Sequence, residues 1–242
     1  MRIELTFALK EPFITADDRG VVISFLKYAL SNKYPELFAR LYGANVSKTF
    51  SFSTFLPGAK LMGDCYSLSL NTVRVRLSSS ERELLVALYN AMMNARFIDY
   101  PLPQGNSFRL TRVGYSNTFP TGASTEIIKF LSPLVVRCHD RETNEDEYLD
   151  FRSVGFPERL QIIADAYLQK REIEPCAVIL RPLSARSTVA ICLKRKFLCS
   201  FGTFELSASP EAITEFYLAG IGSRRSEGFG LFDIVGRGRG DE

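Results

Sequence analysis

The chain has 242 residues, of which 46% are hydrophobic and 24% charged, and its 30 Lys and Arg against 27 Asp and Glu give a formal net charge of +3. This composition is ordinary for a globular protein, and the length allows one large domain or two of roughly 100 to 120 residues. No apolar run approaches the roughly 18 residues that span a bilayer, and the five cysteines are widely spaced without a Cys-x-x-Cys pair. We therefore expect a cytoplasmic protein without a signal peptide, membrane anchor, zinc site or disulfide framework.

The first half of the sequence predicts the element order β-α-β-β-α-β. Strands are predicted from alternating apolar residues and helices from apolar residues at helical spacing. The predicted elements are a strand over Arg2–Leu9, a helix over about Gly20–Ser31 capped by Asp17-Asp18, a short helix from Pro35, paired strands over Lys48–Ser53 and Cys65–Leu77, a helix from the capping box at Ser80 to about Arg96, and a strand over Phe108–Tyr115.

The same order starts again after a turn-rich loop, Ser116–Gly122. The predicted elements are a strand over Glu126–Val136 bent at Pro133, a charged hairpin tip over Arg141–Asp150, a helix from Pro157 to about Lys170, strands over Cys176–Leu180, Ser187–Leu193 and Phe197–Leu206, a helix from Ser209-Pro210, and a strand over Leu231–Val235. Two β-α-β-β-α-β units predict an α+β protein with tandem ferredoxin-like domains, at residues 1–118 and 123–242.

Residues 220–230, which we call the glycine loop, hold four glycines and two arginines. Glycine permits positive φ and leaves backbone N–H groups open to an anion, and the guanidinium groups of Arg224 and Arg225 suit phosphate oxygens. The same composition also suits a long, flexible hairpin. The glycine loop precedes a strand-like segment and lacks a Gly-Lys-Ser/Thr ending, so it is neither a dinucleotide fingerprint nor a Walker loop.

A basic run without acids extends from Arg181 to Lys196. We interpret it as a β-hairpin with Arg186 near one turn and Lys194, Arg195 and Lys196 near the next. Such a hairpin can follow a phosphate backbone, where each contact adds salt dependence but no sequence discrimination. The alternative is an exposed hairpin whose charges serve solubility.

The glycine loop reads Gly-x-Gly-x5-Gly-Phe-Gly and lies between a helix and a final strand, at the end of two tandem ferredoxin-like domains. This arrangement resembles the CRISPR repeat-processing endoribonucleases of the RAMP superfamily. Three further segments resemble the family, namely Phe130–Val136, Leu41-Tyr42 followed by Lys48–Ser53, and Leu26–Leu30. The resemblance implies binding of CRISPR repeat RNA and a single cut without metal or cofactor, in which the ribose 2′-hydroxyl attacks the neighbouring phosphate and leaves 2′,3′-cyclic phosphate and 5′-hydroxyl ends.

The resemblance also implies a catalytic set. The family's tyrosine and lysine map to Tyr28 and Lys48, but Tyr42 occupies the place of its histidine. An unperturbed tyrosine, with a pKa of about 10, is a poor base at neutral pH. The only histidine, His139, lies beside Asp140 in the charged tip, and we interpret it as a solvated loop residue.

We predict RNA contacts from two parts of the second half. The residues are Gly220, Gly222, Ser223, Arg224, Arg225, Gly228 and Gly230 of the glycine loop, and Arg186, Lys194, Arg195 and Lys196 of the basic run. Three functions stay open: cleavage of repeat RNA, binding without cleavage, and a structural role in a CRISPR ribonucleoprotein. The expected partners are repeat RNA and either a second copy of the chain or a CRISPR effector complex, without DNA or a membrane.

Overall fold

The computed structural model describes residues 1–43, 46–117, 120, 122–140 and 142–237. Residues 118, 119 and 121 of the predicted interdomain loop and Arg141 of the predicted charged tip lie outside this set. The chain forms two compact units: unit 1 is Met1–Thr118 with Ile191–Arg195, and unit 2 is Phe119–Ala190 with Lys196–Glu242. In the described residues, no helix is long and apolar enough to cross a membrane.

Unit 1 is built on a five-stranded antiparallel sheet. Its elements are β1 (Arg2–Leu9), β2 (Phe13–Thr15), α1 (Asp18–Lys33), α2 (Pro35–Tyr42), β3 (Phe50–Phe55), β4 (Lys60–Met62), β5 (Cys65–Ser67), β6 (Thr72–Ser79), α3 (Arg82–Asn94), β7 (Asp99–Pro101) and β8 (Ser107–Ser116). The main sheet has the order β3-β6-β1-β8-β7, and β2, β5 and β4 form a smaller sheet. The order of β3, β6, β1 and β8, with α1 and α3 as connections, is the predicted ferredoxin-like topology.

One face of the main sheet and the apolar faces of α1 and α3 form the core of unit 1. Ile3, Leu5 and Phe7 alternate along β1 and are at most 1% exposed. The ring of Phe7 stacks on Phe108 of β8 with centroids 3.9 Å apart, and it meets Phe25 of α1 edge-on at 5.1 Å. The apolar alternation that predicted β1 therefore marks its buried face.

Unit 2 repeats this topology. Its elements are β9 (Thr125–Phe130), β10 (Val136–His139), β11 (Asp146–Leu149), α4 (Phe156–Lys170), β12 (Ile179–Cys192), β13 (Arg195–Ser207), α5 (Pro210–Ala219) and β14 (Phe232–Arg237). The main sheet has the order β12-β13-β9-β14, and β10 and β11 form a separate antiparallel hairpin. Residues of α4, α5 and the sheet share one buried cluster that includes Phe130, Phe204 and Phe216. The predicted α+β fold with tandem ferredoxin-like topology is confirmed.

Two local predictions in unit 1 are wrong. The predicted strand over Cys65–Leu77 is split into β5 and β6. Between them, the N–H groups of Leu68 and Ser69 donate to the carbonyls of Pro12 and Pro57 instead of to a neighbouring strand of the main sheet. Only β6 then pairs with β3. The predicted capping box at Ser80 does not form, since the N-cap of α3 is Glu81, without a side-chain capping bond.

The strand boundaries of unit 2 also differ from the prediction. The strand predicted over Glu126–Val136 ends at Phe130, and the two short strands predicted before Leu193 are one strand, β12. Pro182 fits inside β12 because β12 is an edge strand of the sheet, where a missing N–H costs no ladder bond. Arg186 therefore lies in the middle of a strand, not near a turn.

Candidate functional site

The glycine loop connects α5 to β14 and is bound to the segment that follows β9. The N–H of Gly230 donates to the carbonyl of Pro133 at 2.8 Å, and the N–H of Ser223 donates to that of Val135 at 2.8 Å. Inside the loop, Ile221 N–H donates to Gly230 O at 3.0 Å. Backbone hydrogen bonds thus hold both ends of the loop against the same neighbouring segment.

Two of the glycines are required by close backbone contacts. Gly230 has φ +71°, and a Cβ there would overlap the carbonyl oxygen of Ile221. Gly222 has φ +87°, and a Cβ would lie 2.6 Å from the carbonyl oxygen of Val135. At these positions glycine allows the loop to pack tightly on its neighbours.

The backbone N–H groups of three predicted RNA-binding glycines are used within unit 2. Gly220, Gly228 and Gly230 donate to the carbonyls of Phe216, Arg225 and Pro133, at 2.8, 3.0 and 2.8 Å. The loop is buried at these glycines, and a buried N–H needs a protein acceptor. These three N–H groups therefore do not form the anion-binding nest that the sequence suggested.

Arg225 points into the interior of unit 2. It is 8% exposed, and its Cζ atom lies 3.5 Å from the centroid of the Tyr167 ring. Burial lowers the pKa of Arg225, and the nearby oxygens of Tyr167 and Glu215 oppose that effect. Tyr167 also donates to Glu215. The structure places Arg225 in a buried charged cluster rather than on a phosphate-binding surface.

Arg224 is held closer to the surface by groups on β11 and in the glycine loop. Its Nη2 donates to the Tyr148 hydroxyl at 2.9 Å and its Nη1 to Glu227 Oε1 at 3.1 Å. Nη2 also lies 3.6 Å from Oδ2 of Asp146. Although burial acts to lower it, Glu227 and Tyr148 together raise the pKa of Arg224, so the guanidinium stays charged.

His139 is part of a hydrogen-bonded cluster on the β10–β11 hairpin. The strand register sets His139 opposite Asp146, and Nδ1 lies 2.9 Å from Oδ1 of Asp146. Arg137 Nε donates to the same oxygen at 2.6 Å. Burial acts to raise the pKa of Asp146, but the bonds from His139 and Arg137 outweigh it and hold the pKa below its usual value. The interpretation of His139 as a solvated loop residue is wrong, because β10 extends to His139.

The predicted catalytic residues Tyr42 and Lys48 lie together in unit 1. Lys48 Nζ is 4.9 Å from the centroid of the Tyr42 ring, and Lys27 Nζ is 4.8 Å from it. Burial raises the pKa of Tyr42 to about 12, so its hydroxyl is neutral at physiological pH. The Tyr28 ring packs on Tyr100, with centroids 5.3 Å apart. Sequence reasoning did not single out Lys27 within the segment Leu26–Leu30, because Lys27 reaches Tyr42 only through the packing of α1 on α2.

The cationic side chains of the basic run are exposed. Arg186 stacks on Phe201 with its Cζ 5.5 Å from the ring centroid. Leu193 and Lys194 form the hairpin turn with φ of +50° and +63°, and the Lys194 N–H donates to the Asp17 carboxylate at 3.0 Å. The side chains of Lys194–Lys196 face solvent. In the part of the chain that the structure describes, no three His, Cys, Asp or Glu side chains are grouped to hold a metal ion.

Comparison with known proteins links this arrangement to one family. Residues 118–234 match the family model described as CRISPR associated protein Cas6, C-terminal. The matched segment runs from the start of unit 2 through the β10–β11 hairpin and the glycine loop into β14. No curated protein sequence matches the chain.

Solved structures show the same fold over the whole chain. The protein of a Cas6-related gene from Pyrococcus furiosus has a TM-score of 0.82 and 17% identity, with 97% of this chain and 98% of that chain covered. A RAMP protein binding different RNA substrates has a TM-score of 0.83 and 20% identity, with coverage of 97% and 99%. A CRISPR associated protein Cas6 has a TM-score of 0.73 and 17% identity, with coverage of 97% and 99%. At these identities, the likeness establishes the fold.

Proposed function

We propose that the chain binds CRISPR repeat RNA and cuts it once without a metal ion, because residues 118–234 match the family model described as CRISPR associated protein Cas6, C-terminal. In this reaction the ribose 2′-hydroxyl attacks the neighbouring phosphate and leaves a 2′,3′-cyclic phosphate and a 5′-hydroxyl. The observation that carries the proposal is the family match over residues 118–234. Further support comes from the fold, which a RAMP protein binding different RNA substrates shares over its whole length.

The lysines beside Tyr42 support a role in cleavage. Two ammonium groups within 5 Å of one ring can stabilise the negative charge that develops on the phosphorane. With a pKa of about 12, Tyr42 does not serve as the base, and its ring instead holds Lys27 and Lys48 in place by cation–π attraction. Tyr28 is proposed to contribute its hydroxyl group as a hydrogen-bond donor.

RNA binding is assigned to the partly buried Arg224 and to the exposed cations of the basic run. Arg224 is held by Tyr148 and Glu227, and this fixes the direction of its guanidinium group before RNA arrives. Arg186 and Lys194–Lys196 present their charges to solvent and suit phosphate contacts. We propose that Gly222 and Ser223 contribute by placing Arg224, rather than through an amide nest.

A binding and cleavage assay in EDTA tests the proposal. We expect end-labelled repeat RNA from the host's CRISPR array to be bound in preference to a scrambled RNA of equal length, with a cyclic-phosphate product. Lys48→Gln should keep the affinity within about twofold and lower the single-turnover cleavage rate by at least about tenfold, because it removes one stabilising charge. Equal affinity for repeat and scrambled RNA contradicts repeat recognition, and binding without product at any protein concentration contradicts cleavage.

A further inference from the structure

Phe97 follows α3 and holds its aromatic ring out in solvent. The residue is 61% exposed, and its backbone φ is +64°. A single exposed apolar residue is common, but a bulky residue with positive φ is rare, because glycine and asparagine are favoured in this conformation at the end of a helix. Both features are unfavourable for a residue whose only task is to stabilise the fold.

Hydrogen bonds to β8 fix the position of this segment. The N–H of Phe97 donates to the carbonyl of Leu110 at 2.9 Å. Nη2 of the preceding Arg96 donates to the carbonyl of Thr111 at 3.4 Å. The main sheet of unit 1 therefore sets the place of the ring before any ligand arrives, which lowers the entropic cost of binding.

The side chain of Arg96 lies over the ring of Phe97. Its Cζ atom is 4.5 Å from the ring centroid, a distance at which the guanidinium group is attracted to the face of the ring. The exposure of Phe97 leaves the rest of the ring to solvent. An aromatic surface beside a positive charge is the combination on which unpaired nucleobases stack in RNA-binding proteins.

The segment that carries Phe97 also contacts a candidate catalytic residue. Tyr100 lies three residues further along the chain, and its ring packs on that of Tyr28 with centroids 5.3 Å apart. The Tyr100 hydroxyl is 2.6 Å from Oγ of Ser24, on the same helix as Tyr28. Three residues span at most about 11 Å, so a ligand on Phe97 would lie close to Tyr28.

We propose that Phe97 and Arg96 form a stacking site for one unpaired base of the repeat RNA. The ring of Phe97 stacks on the base, and Arg96 adds positive charge beside it. The proposal rests on the proposed function, since the ligand is the same RNA. Every base has a flat π-face, so the site holds the RNA without selecting one base. Phe97 is a binding residue and takes no part in the bond-breaking step.

A protein partner could also cover this region, because Met93 and Ile98 are each 39% exposed nearby in the chain. RNA is favoured by the positive charge of Arg96 and by the closeness of Tyr28. A protein surface needs only apolar volume at position 97, whereas a base needs a flat ring. This difference decides which variants are compared.

The first test is the affinity of two Phe97 variants for end-labelled repeat RNA from the host's CRISPR array. Phe97→Leu keeps an apolar side chain but removes the ring, and we expect it to weaken binding about fivefold or more. Phe97→Tyr keeps the ring and should bind within about twofold of wild type. The slope of log affinity against log salt should be unchanged in both, since the ring contacts no phosphate. Val86→Ala, at an exposed apolar residue of α3, is the matched control and should bind like wild type.

The second test uses the absence of tryptophan from the sequence. Phe97→Trp provides a single indole at the proposed site, and its emission should be quenched on addition of repeat RNA, because a stacked base quenches indole fluorescence. Val86→Trp places the indole elsewhere on the exposed surface of unit 1 and should show no such quenching. Both proteins should bind the RNA within about threefold of wild type.

A stability measurement separates a binding role from a structural one. Asparagine tolerates positive φ, so Phe97→Asn should unfold in urea at a midpoint equal to or above that of wild type. Its affinity for repeat RNA should fall as in Phe97→Leu. A ring that serves only the fold would give the opposite result, with a lower midpoint and an unchanged affinity of the folded protein.

The outcomes are distinct from those of the proposed function. If wild type binds repeat RNA and Phe97→Leu binds it within about twofold as tightly, the inference is overturned and the proposed function stands. The same conclusion follows if saturating RNA leaves the emission of Phe97→Trp unchanged, or if Phe97→Asn loses stability and keeps its affinity. A wild-type protein that does not bind repeat RNA overturns both.

Discussion

Arg224 and Arg225 are adjacent in the chain but contact different groups. Arg225 is 8% exposed and packs on Tyr167, whereas the guanidinium of Arg224 reaches Tyr148 and Glu227 near the surface. The backbone separates them, because Arg224 has φ +55°, which turns the chain sharply before Arg225. We therefore propose different roles for the two side chains, in which Arg225 stabilises the fold and Arg224 contacts RNA.

Paired substitutions test this division. Arg225→Met should lower the free energy of unfolding by about 3 kcal/mol, since it leaves Glu215 with one cation fewer in the interior. The folded fraction should bind RNA with unchanged affinity. Arg224→Met should cost about 1 kcal/mol or less, weaken RNA binding, and reduce the slope of log affinity against log salt by about 0.7. Urea unfolding and salt-dependent binding measure the two effects. Equal effects of both substitutions contradict the assignment.

At the scale of elements, the glycine loop is a joint between α5, β14 and the segment that follows β9. In that segment, the hydroxyl of Ser132 accepts a hydrogen bond from the N–H of Leu231 at 3.0 Å, and Ser132 is fully buried. Most of the contact is backbone to backbone, so side-chain chemistry contributes little to it. A side chain at Gly222 or Gly230 would overlap neighbouring backbone and so disturb the packing of the loop on both sides.

Gly230→Ala compared with Gly105→Ala tests the joint. Both glycines have φ +71°, but a Cβ at Gly105 meets nothing within 4 Å, whereas at Gly230 it overlaps backbone. Gly105→Ala should lower the free energy of unfolding by about 1 kcal/mol, because alanine is strained in the left-handed conformation. Gly230→Ala should cost about 3 kcal/mol or more, because the clash is added to the strain. Urea unfolding measures both. If Gly230→Ala lowers the free energy of unfolding by an amount within about 0.5 kcal/mol of that of Gly105→Ala, the backbone contact at Gly230 does not require glycine.

At the scale of the whole molecule, the small net charge of +3 hides a local excess on the β12–β13 hairpin. Lys194–Lys196 are exposed at its turn, and Arg186 is exposed along β12. The field of such a cluster falls off within about 8 to 10 Å at physiological salt, so the proposed attraction of RNA by the hairpin is short-ranged. Binding should therefore depend on where the cations lie more than on the total charge.

Two triple variants with the same change in net charge test this. Lys194→Asn, Arg195→Gln and Lys196→Gln remove the hairpin charges, and asparagine tolerates the positive φ of position 194. We expect the salt slope of RNA binding to fall by about 2. Lys33→Gln, Lys60→Gln and Lys170→Gln are exposed controls that should leave the slope unchanged. A similar decrease in both variants indicates a general charge effect and refutes a hairpin contact.

Sequence periodicity was sufficient for the fold class and for most elements. The alternation of Ile3, Leu5 and Phe7 marked β1, and the apolar spacing of Leu84, Leu85 and Leu88 marked α3, because buried positions repeat with the period of the element. Periodicity failed to predict elements whose boundaries depend on hydrogen bonds or packing with distant segments of the chain. Periodicity did not show that β12 is continuous through Pro182, since this depends on its being an edge strand.

By itself, the sequence determined two β-α-β-β-α-β units and a glycine loop before the last strand, because these follow from the pattern of neighbouring residues. Only the tertiary structure decided which groups the candidate side chains contact. It turned Arg225 inward onto Tyr167, paired His139 with Asp146 through the β10–β11 register, and buried Tyr42 enough to raise its pKa to about 12. The physical reason is that burial, charge pairing and desolvation depend on groups far apart in the chain, and a local pattern carries no information about them.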